Sequence, residues 1–167
     1  MAITCNSCNQ HIGDFVAQAE GIKLFKPYIT SRKDQSSYAQ SFDIRKWLAC
    51  HLLSAIETTG VRKFYAASLP FELWVFSTDI TFASSSNDSE PTRAVKVLFR
   101  DTDTSTLNKR DELNSQQLHI EELGLPQALE SDLFDVLKKA NHDLPHAARN
   151  FLDWKVALLP RFVEADT

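Results

Sequence analysis

Apolar positions follow a period of two in some stretches of this chain and helical spacing in others. The clearest period-two region is Glu72 to Asp101, ELWVFSTDITFASSSNDSEPTRAVKVLFRD. Two runs rich in β-branched and aromatic residues flank a polar Ser/Asn/Asp/Pro segment, which predicts a β-hairpin with a long tip. Trp74, Phe76, Ile80 and Phe82 share one parity in the first run, and Val95, Val97 and Phe99 share one in the second. Leu73 and Val75 are also apolar, so part of the first strand is expected to be buried on both faces.

Helical spacing holds for Ile44, Trp47, Leu48, Leu52 and Ile56. It predicts a helix over Phe42–Glu57, with Ser41 as its cap and Gly60 as its stop. A second helix, Gln127–Ala140, opens after Pro126 and carries Ala128, Leu129, Leu133, Phe134 and Leu137. Further strands are expected at Gly21–Ile29, Val61–Ala66, Leu118–Glu122 and Trp154–Leu159, with a turn opening at Pro145. Residues 1–20 read as a short ribbon or loop around Cys5 and Cys8, and Thr30–Ser41 as loop. Asp101–Ser115 is polar and aperiodic, a solvated loop. The chain shows no repeats and no interior linker. The expected fold is therefore one α+β domain spanning 1–167, a mostly antiparallel sheet with the two helices packed on one face. The opposite face is left for a partner or further chain.

Composition narrows the function. The 167 residues include 43% hydrophobic and 24% charged residues, enough for a real core. A net charge of −4 argues against a grip on nucleic acid, since phosphate binding needs a basic face. No apolar run reaches the ~20 residues that span a bilayer, so no membrane partner is expected. Met1–Asp14 lacks the basic start and apolar core of a signal peptide. Three cysteines, an odd number, fit a reducing compartment, cytoplasm or nucleus, without a disulfide framework.

Cys5-x2-Cys8 has the spacing of half a zinc site, because thiolates two residues apart can grip one metal from a tight turn. His11 is a candidate third ligand, and the fourth is not visible nearby; the bland reading is two free surface thiols. Cys50-His51 invites a nucleophile-and-base reading, but neighbouring helical side chains diverge by about 100°. A buried structural cysteine is the default for Cys50. His142 and His146 are separated by Pro145, which breaks the i, i+4 spacing of a metal pair, and they read as loop and cap residues. His119 reads as the polar face of a strand. Asp101 and Asp103 lack the Gly turn and closing Glu of a calcium loop. The four glycines do not cluster into a phosphate loop, and Ser68, Ser77 and Ser84–Ser86 lack a nucleophile elbow. Trp74, Trp154, Phe76 and Phe82 could form an aromatic binding platform, although strand alternation favours core packing for most of them. Leu158–Phe162 reads as an edge strand covered in a larger protein, or as a docking edge.

Three segments together resemble the HECT-like ubiquitin-conjugating-enzyme (E2)-binding family. ELWVFSTDITFASSS…AVKVLF is similar to its tryptophan-led strand, Ser-rich turn and Lys-containing return strand. Cys5-Asn-Ser-Cys8 with Ile12-Gly13 and Leu24-Phe25-Lys26 resembles its cysteine pair and following strand. Leu144-Pro145 with Phe151, Trp154, Lys155, Val156 and Leu158-Leu159 resembles its C-terminal signature. The similarity is collinear from Cys5 to about Phe162 and suggests the C-terminal half of a longer, β-rich protein. In that setting a Cys and a His from elsewhere would complete a structural zinc site with Cys5 and Cys8. The resemblance implies a ubiquitin-conjugating enzyme as partner and, if there is activity, ubiquitin–protein transfer of ligase type. Relatives are also linked to the pre-mRNA 3′-end processing nuclease, which gives an alternative: a non-catalytic, chaperone-like partner of that enzyme. HECT ligases carry their acceptor cysteine near the C-terminus, and here no cysteine follows Cys50. The implied role is therefore non-covalent: to hold a charged conjugating enzyme while its own thioester discharges.

Overall fold

β-Branched and aromatic residues are densest between Phe71 and Asp101, and the main sheet is built around that stretch. The computed structural model describes residues 1–32, 40–66, 69–84, 91–102, 120–125 and 127–162. The chain divides into two compact units, Met1–Trp47 and Leu48–Thr167.

In the first unit β1 (Ala2–Thr4), β2 (His11–Val16) and β3 (Gly21–Leu24) form an antiparallel ribbon in that order. The segment Cys5–Gln10 is its first hairpin tip. β2 and β3 approach so closely at Gly13 that a Cβ there would lie 2.5 Å from the Lys23 carbonyl oxygen. The pattern of the sequence predicts a strand over Gly21–Ile29. It ends at Leu24 instead, because Pro27 has no N–H for a ladder and its fixed φ suits the 3₁₀ turn found at Lys26–Tyr28. Within the segment read as loop, β4 (Thr30–Ser31) pairs with β5 (Gln40–Ser41). Residues 33–39 lie outside the described set.

Helix α1 covers Ile44–Thr59, and its cap is Asp43, not Ser41. The Asp43 carboxylate accepts the Arg45 amide at 2.8 Å, the second helical position, as an N-cap should. Arg45 also returns its guanidinium to the same carboxylate at 2.9 Å. Burial pushes the Asp43 carboxyl up, but both Arg45 groups outweigh it and the pKa falls below the ordinary carboxylate value. A group depressed on folding stabilises above its unfolded pKa and stops doing so as pH falls through its folded value.

In the second unit β6 (Lys63–Tyr65), β7 (Phe71–Phe82), β8 (Thr92–Asp101), β9 (Ile120–Glu122), β10 (Asn150–Phe151) and β11 (Trp154–Pro160) form one sheet. The strand order is β10-β11-β8-β7-β6-β9. Every pairing is antiparallel except β6 with β9. With α1 and α2 (Gln127–His142), this is the α+β, mostly antiparallel fold expected from the sequence. Register shows which side chains share a face. Leu73 pairs Phe99, Val75 pairs Val97, and Ala157 pairs Val97 from the other side. These residues, with Phe64, Phe71 and Leu159, are almost completely buried. α2 closes over them: Phe134 stacks on Phe71 at 5.4 Å and meets Phe99 edge-on at 6.3 Å. The side-chain amide of Asn141, the penultimate residue of α2, donates to the Arg149 and Val156 carbonyls and ties the helix to β11. Residues 103–119, most of the predicted solvated loop together with Asp103 and His119, lie outside the described residues, as do Ser68, Ser85 and Ser86.

Candidate functional site

The opposite face of the main sheet has a different chemistry. Trp74 pairs Leu98 across β7 and β8, Val156 pairs Leu98 across β8 and β11, and Phe151 pairs Trp154 across β10 and β11. Alternation puts these residues, with Glu72, Lys96 and Arg100, on one side. Leu98, Trp154 and Val156 form a small second core, against which Trp74 and Leu144 pack. Trp74 meets Trp154 edge-on at 6.0 Å and Phe76 at 5.4 Å. Phe76 in turn lies 5.9 Å from Phe151. The aromatic row thus grades from buried Trp154 to Phe76 and Phe151, each 43% exposed.

Cations sit on these rings. Lys63 Nζ is 5.0 Å from the Trp74 centroid, Lys96 Nζ is 5.0 Å from Phe76, and the Arg100 guanidinium is 4.3 Å from Trp154. Arg100 Nε also donates to buried Glu72 at 2.9 Å, and its Nη1 to Asp153 in the β10–β11 turn. Beside Trp74, the segment Thr59–Lys63 and Glu121 border an open cleft of about 830 Å³.

The cysteine pair lies in the first unit. Cys5 and Cys8 occupy the β1–β2 tip, where the Cys5 amide donates to Gln10 and the Asn9 amide to Cys5. Asn9 takes φ 58°, a left-handed value that asparagine tolerates and that closes the turn. The amides of Ser7 and Cys8, and then the Cys8 thiol, point at Cys5 and hold its pKa below the ordinary thiol value; burial works the other way. Successive amides aimed at one sulfur stabilise a thiolate, the form that binds metal. The sign is testable by alkylation. The midpoint of the rate of Cys5 modification by iodoacetamide should fall at lower pH in the folded chain than in urea, read by peptide mass spectrometry. Equal midpoints would remove the amide cradle.

His11 does not join the pair. Its Nε2 lies 2.9 Å from the Gly13 carbonyl and 3.0 Å from the Asp14 carboxylate, both acceptors, so that nitrogen carries a proton. The ring meets Phe25 edge-on at 5.1 Å. Among the described residues no group of three or more His, Cys, Asp or Glu side chains is placed to hold a metal ion.

Cys50 corrects the sequence reading. It is exposed, not buried. The buried stripe of α1 runs through Leu48, Ala49 and Leu52. Two residues beyond Leu48, at about 100° per residue, Cys50 points to the other side of the helix. Cys50→Asp is therefore expected to fold normally, with a stability change within about 0.5 kcal/mol by urea denaturation; a loss of several kcal/mol would restore the buried reading.

The remaining candidates stay apart. His142 ends α2 and His146 begins a 3₁₀ turn, both exposed. Asp101 closes β8 and takes Lys155 at 3.2 Å. Sequence reasoning passed over Leu152, which is 86% exposed with φ 55°. The available signal was a Leu-Asp pair between Phe151 and Trp154, a two-residue turn without the Asn or Gly such turns favour. Among the described residues no helix is long and apolar enough to cross a membrane.

Neither the curated proteins nor the solved structures provide a match to this chain. Residues 1–156 match the family described as HECT-like Ubiquitin-conjugating enzyme (E2)-binding, and the chain belongs to that family.

Proposed function

We propose that this chain is a non-covalent binding and scaffolding module of a ubiquitin-ligase-like protein that engages a ubiquitin-conjugating enzyme in the cytoplasm or nucleus. Family membership over residues 1–156 carries this reading. The cysteine inventory supports the non-covalent part: Cys50 is mid-helix, His51 diverges from it, and no cysteine follows. The module would position a charged conjugating enzyme while that enzyme's own thioester is attacked. Nothing in the fold favours the alternative of a nuclease partner.

The test is titration of the purified chain against a panel of ubiquitin-charged conjugating enzymes by biolayer interferometry, with thioester loss followed on gels. Binding is expected, and Cys50→Ser should retain it. A reducible ubiquitin adduct on Cys50 would overturn the non-covalent mechanism, and no binding across the panel would overturn the partner.

We further propose that Cys5 and Cys8 supply two of the four ligands of a structural zinc site, completed by residues outside this pair. The amides aimed at Cys5 and the turn closed by Asn9 fit a thiolate pair gripping one ion. In a longer protein carrying the remaining ligands, Cys5→Ser with Cys8→Ser should lower bound zinc, measured by elemental mass spectrometry. Equal zinc in both proteins would end the claim.

A further inference from the structure

We infer that Phe76, Phe151 and Leu152 form a docking patch for a protein segment that presents bulky apolar side chains flanked by carboxylates. This inference stands apart from the identity of the conjugating enzyme.

The patch gathers three large apolar side chains at the surface. Phe76 and Phe151 are each 43% exposed with rings 5.9 Å apart, and Leu152, the next residue after Phe151 in the β10–β11 turn, is 86% exposed. Single exposed apolar residues are ordinary, whereas a contiguous group marks an interaction surface. Leu152 also stands at φ 55°, a left-handed conformation costly for a bulky side chain. With so little of it buried, the folded domain gains almost nothing from leucine there. Backbone strain that brings no packing in return points to a role outside the fold.

The turn is held in place. Asp153 bonds Arg100, which stacks on Trp154 and bonds Glu72. A patch on a fixed turn loses little freedom on binding.

Charge selects the occupant. Arg100 is committed to Glu72 and Asp153. Lys96 over Phe76 and Lys63 over Trp74 have no carboxylate within ion-pair reach among the described residues. Among the described residues, the Phe76 end of the aromatic row therefore carries a cation, Lys96, that is in no ion pair. Carboxylates flanking an apolar anchor would complement it, and aromatic and cationic groups are the usual hot spots of interfaces.

The test is selection of a phage-displayed random dodecapeptide library on the immobilised chain, followed by affinity measurement of the enriched peptides. Enrichment of sequences joining bulky apolar residues to Asp or Glu is expected. Leu152→Asn should weaken them about tenfold or more. Because asparagine suits the left-handed turn, the same variant should melt about 2–4 °C higher, so lost affinity could not be unfolding. Lys96→Glu should weaken binding most at low salt. No enrichment, enrichment of basic sequences, or affinities unmoved by both variants would overturn the proposal. So would sedimentation showing a wild-type dimer that Leu152→Asn dissociates, since the occupant would then be a second copy.

Discussion

Arg100→Ala is expected to destabilise the second unit by about 3 kcal/mol, the low end of what removing one member of a buried ion pair costs. The two carboxylates it serves contribute unequally. Glu72 has a side chain only 4% exposed, so losing Arg100 takes an ion-pair partner from a charge that water can hardly reach. Asp153 is 62% exposed and water can replace its partner, so that half of the interaction is worth little. Arg100 itself is 36% exposed, which moderates the total. Urea denaturation of wild type and variant measures the loss, and pairing Arg100→Met with Glu72→Leu should recover most of it, because no buried charge is then stranded. A single-variant loss under about 1 kcal/mol would mean that Glu72 is satisfied without Arg100. The variant should also loosen the β10–β11 turn, so Arg100 links the stability of the sheet to presentation of Phe151 and Leu152.

How much of this was legible in the sequence depended on whether a signal was local. The strand pair Phe71–Phe82 and Thr92–Asp101 and both helices were readable, since each repeats its pattern over ten or more residues. Single-residue decisions were less readable. Ser41 and Asp43 are both good caps, and Asp43 holds the position through its bonds to the Arg45 amide and guanidinium. Cys50 lies one turn from Trp47 and one turn from Leu53 yet outside the stripe of Leu48, Ala49 and Leu52, because the stripe is narrower than the composition of the helix suggests. The parallel pairing of β9 with β6 is a long-range contact that no local pattern encodes. The same limit applied to the candidate sites. The Cys5-x2-Cys8 spacing was visible, but the amides that prepare Cys5 were not. Arg100 reads in sequence as one charge at the end of a strand, and its partners lie 28 and 53 residues away.

The sharpest test of the face assignment compares two phenylalanines of the hairpin. Phe99→Ala should cost about 3–5 kcal/mol, the range for emptying a fully buried aromatic site. Phe99 is 0% exposed, pairs Leu73 and Lys155 across its neighbouring strands, and meets Phe134 of α2 edge-on. The cavity would lie between a sheet and a helix that are both tied elsewhere, so it could not collapse. Phe76→Ala should cost only about 1 kcal/mol or less, because nearly half the ring is already in water. Parity along the first strand grouped Phe76 with Trp74 as core, and the parity is right: both lie on one face. That face, however, is not the one α2 covers, and the pairing shifts between Val75 and Ser77, where Phe76 stands. Urea denaturation of the two variants decides the matter. Similar losses would mean that both faces are core and that the aromatic row has no free surface to offer. A difference of 2 kcal/mol or more, the gap between about 3 and about 1, would show that Phe99 is core and that Phe76 stands at the edge of the packing, with ring surface left in water.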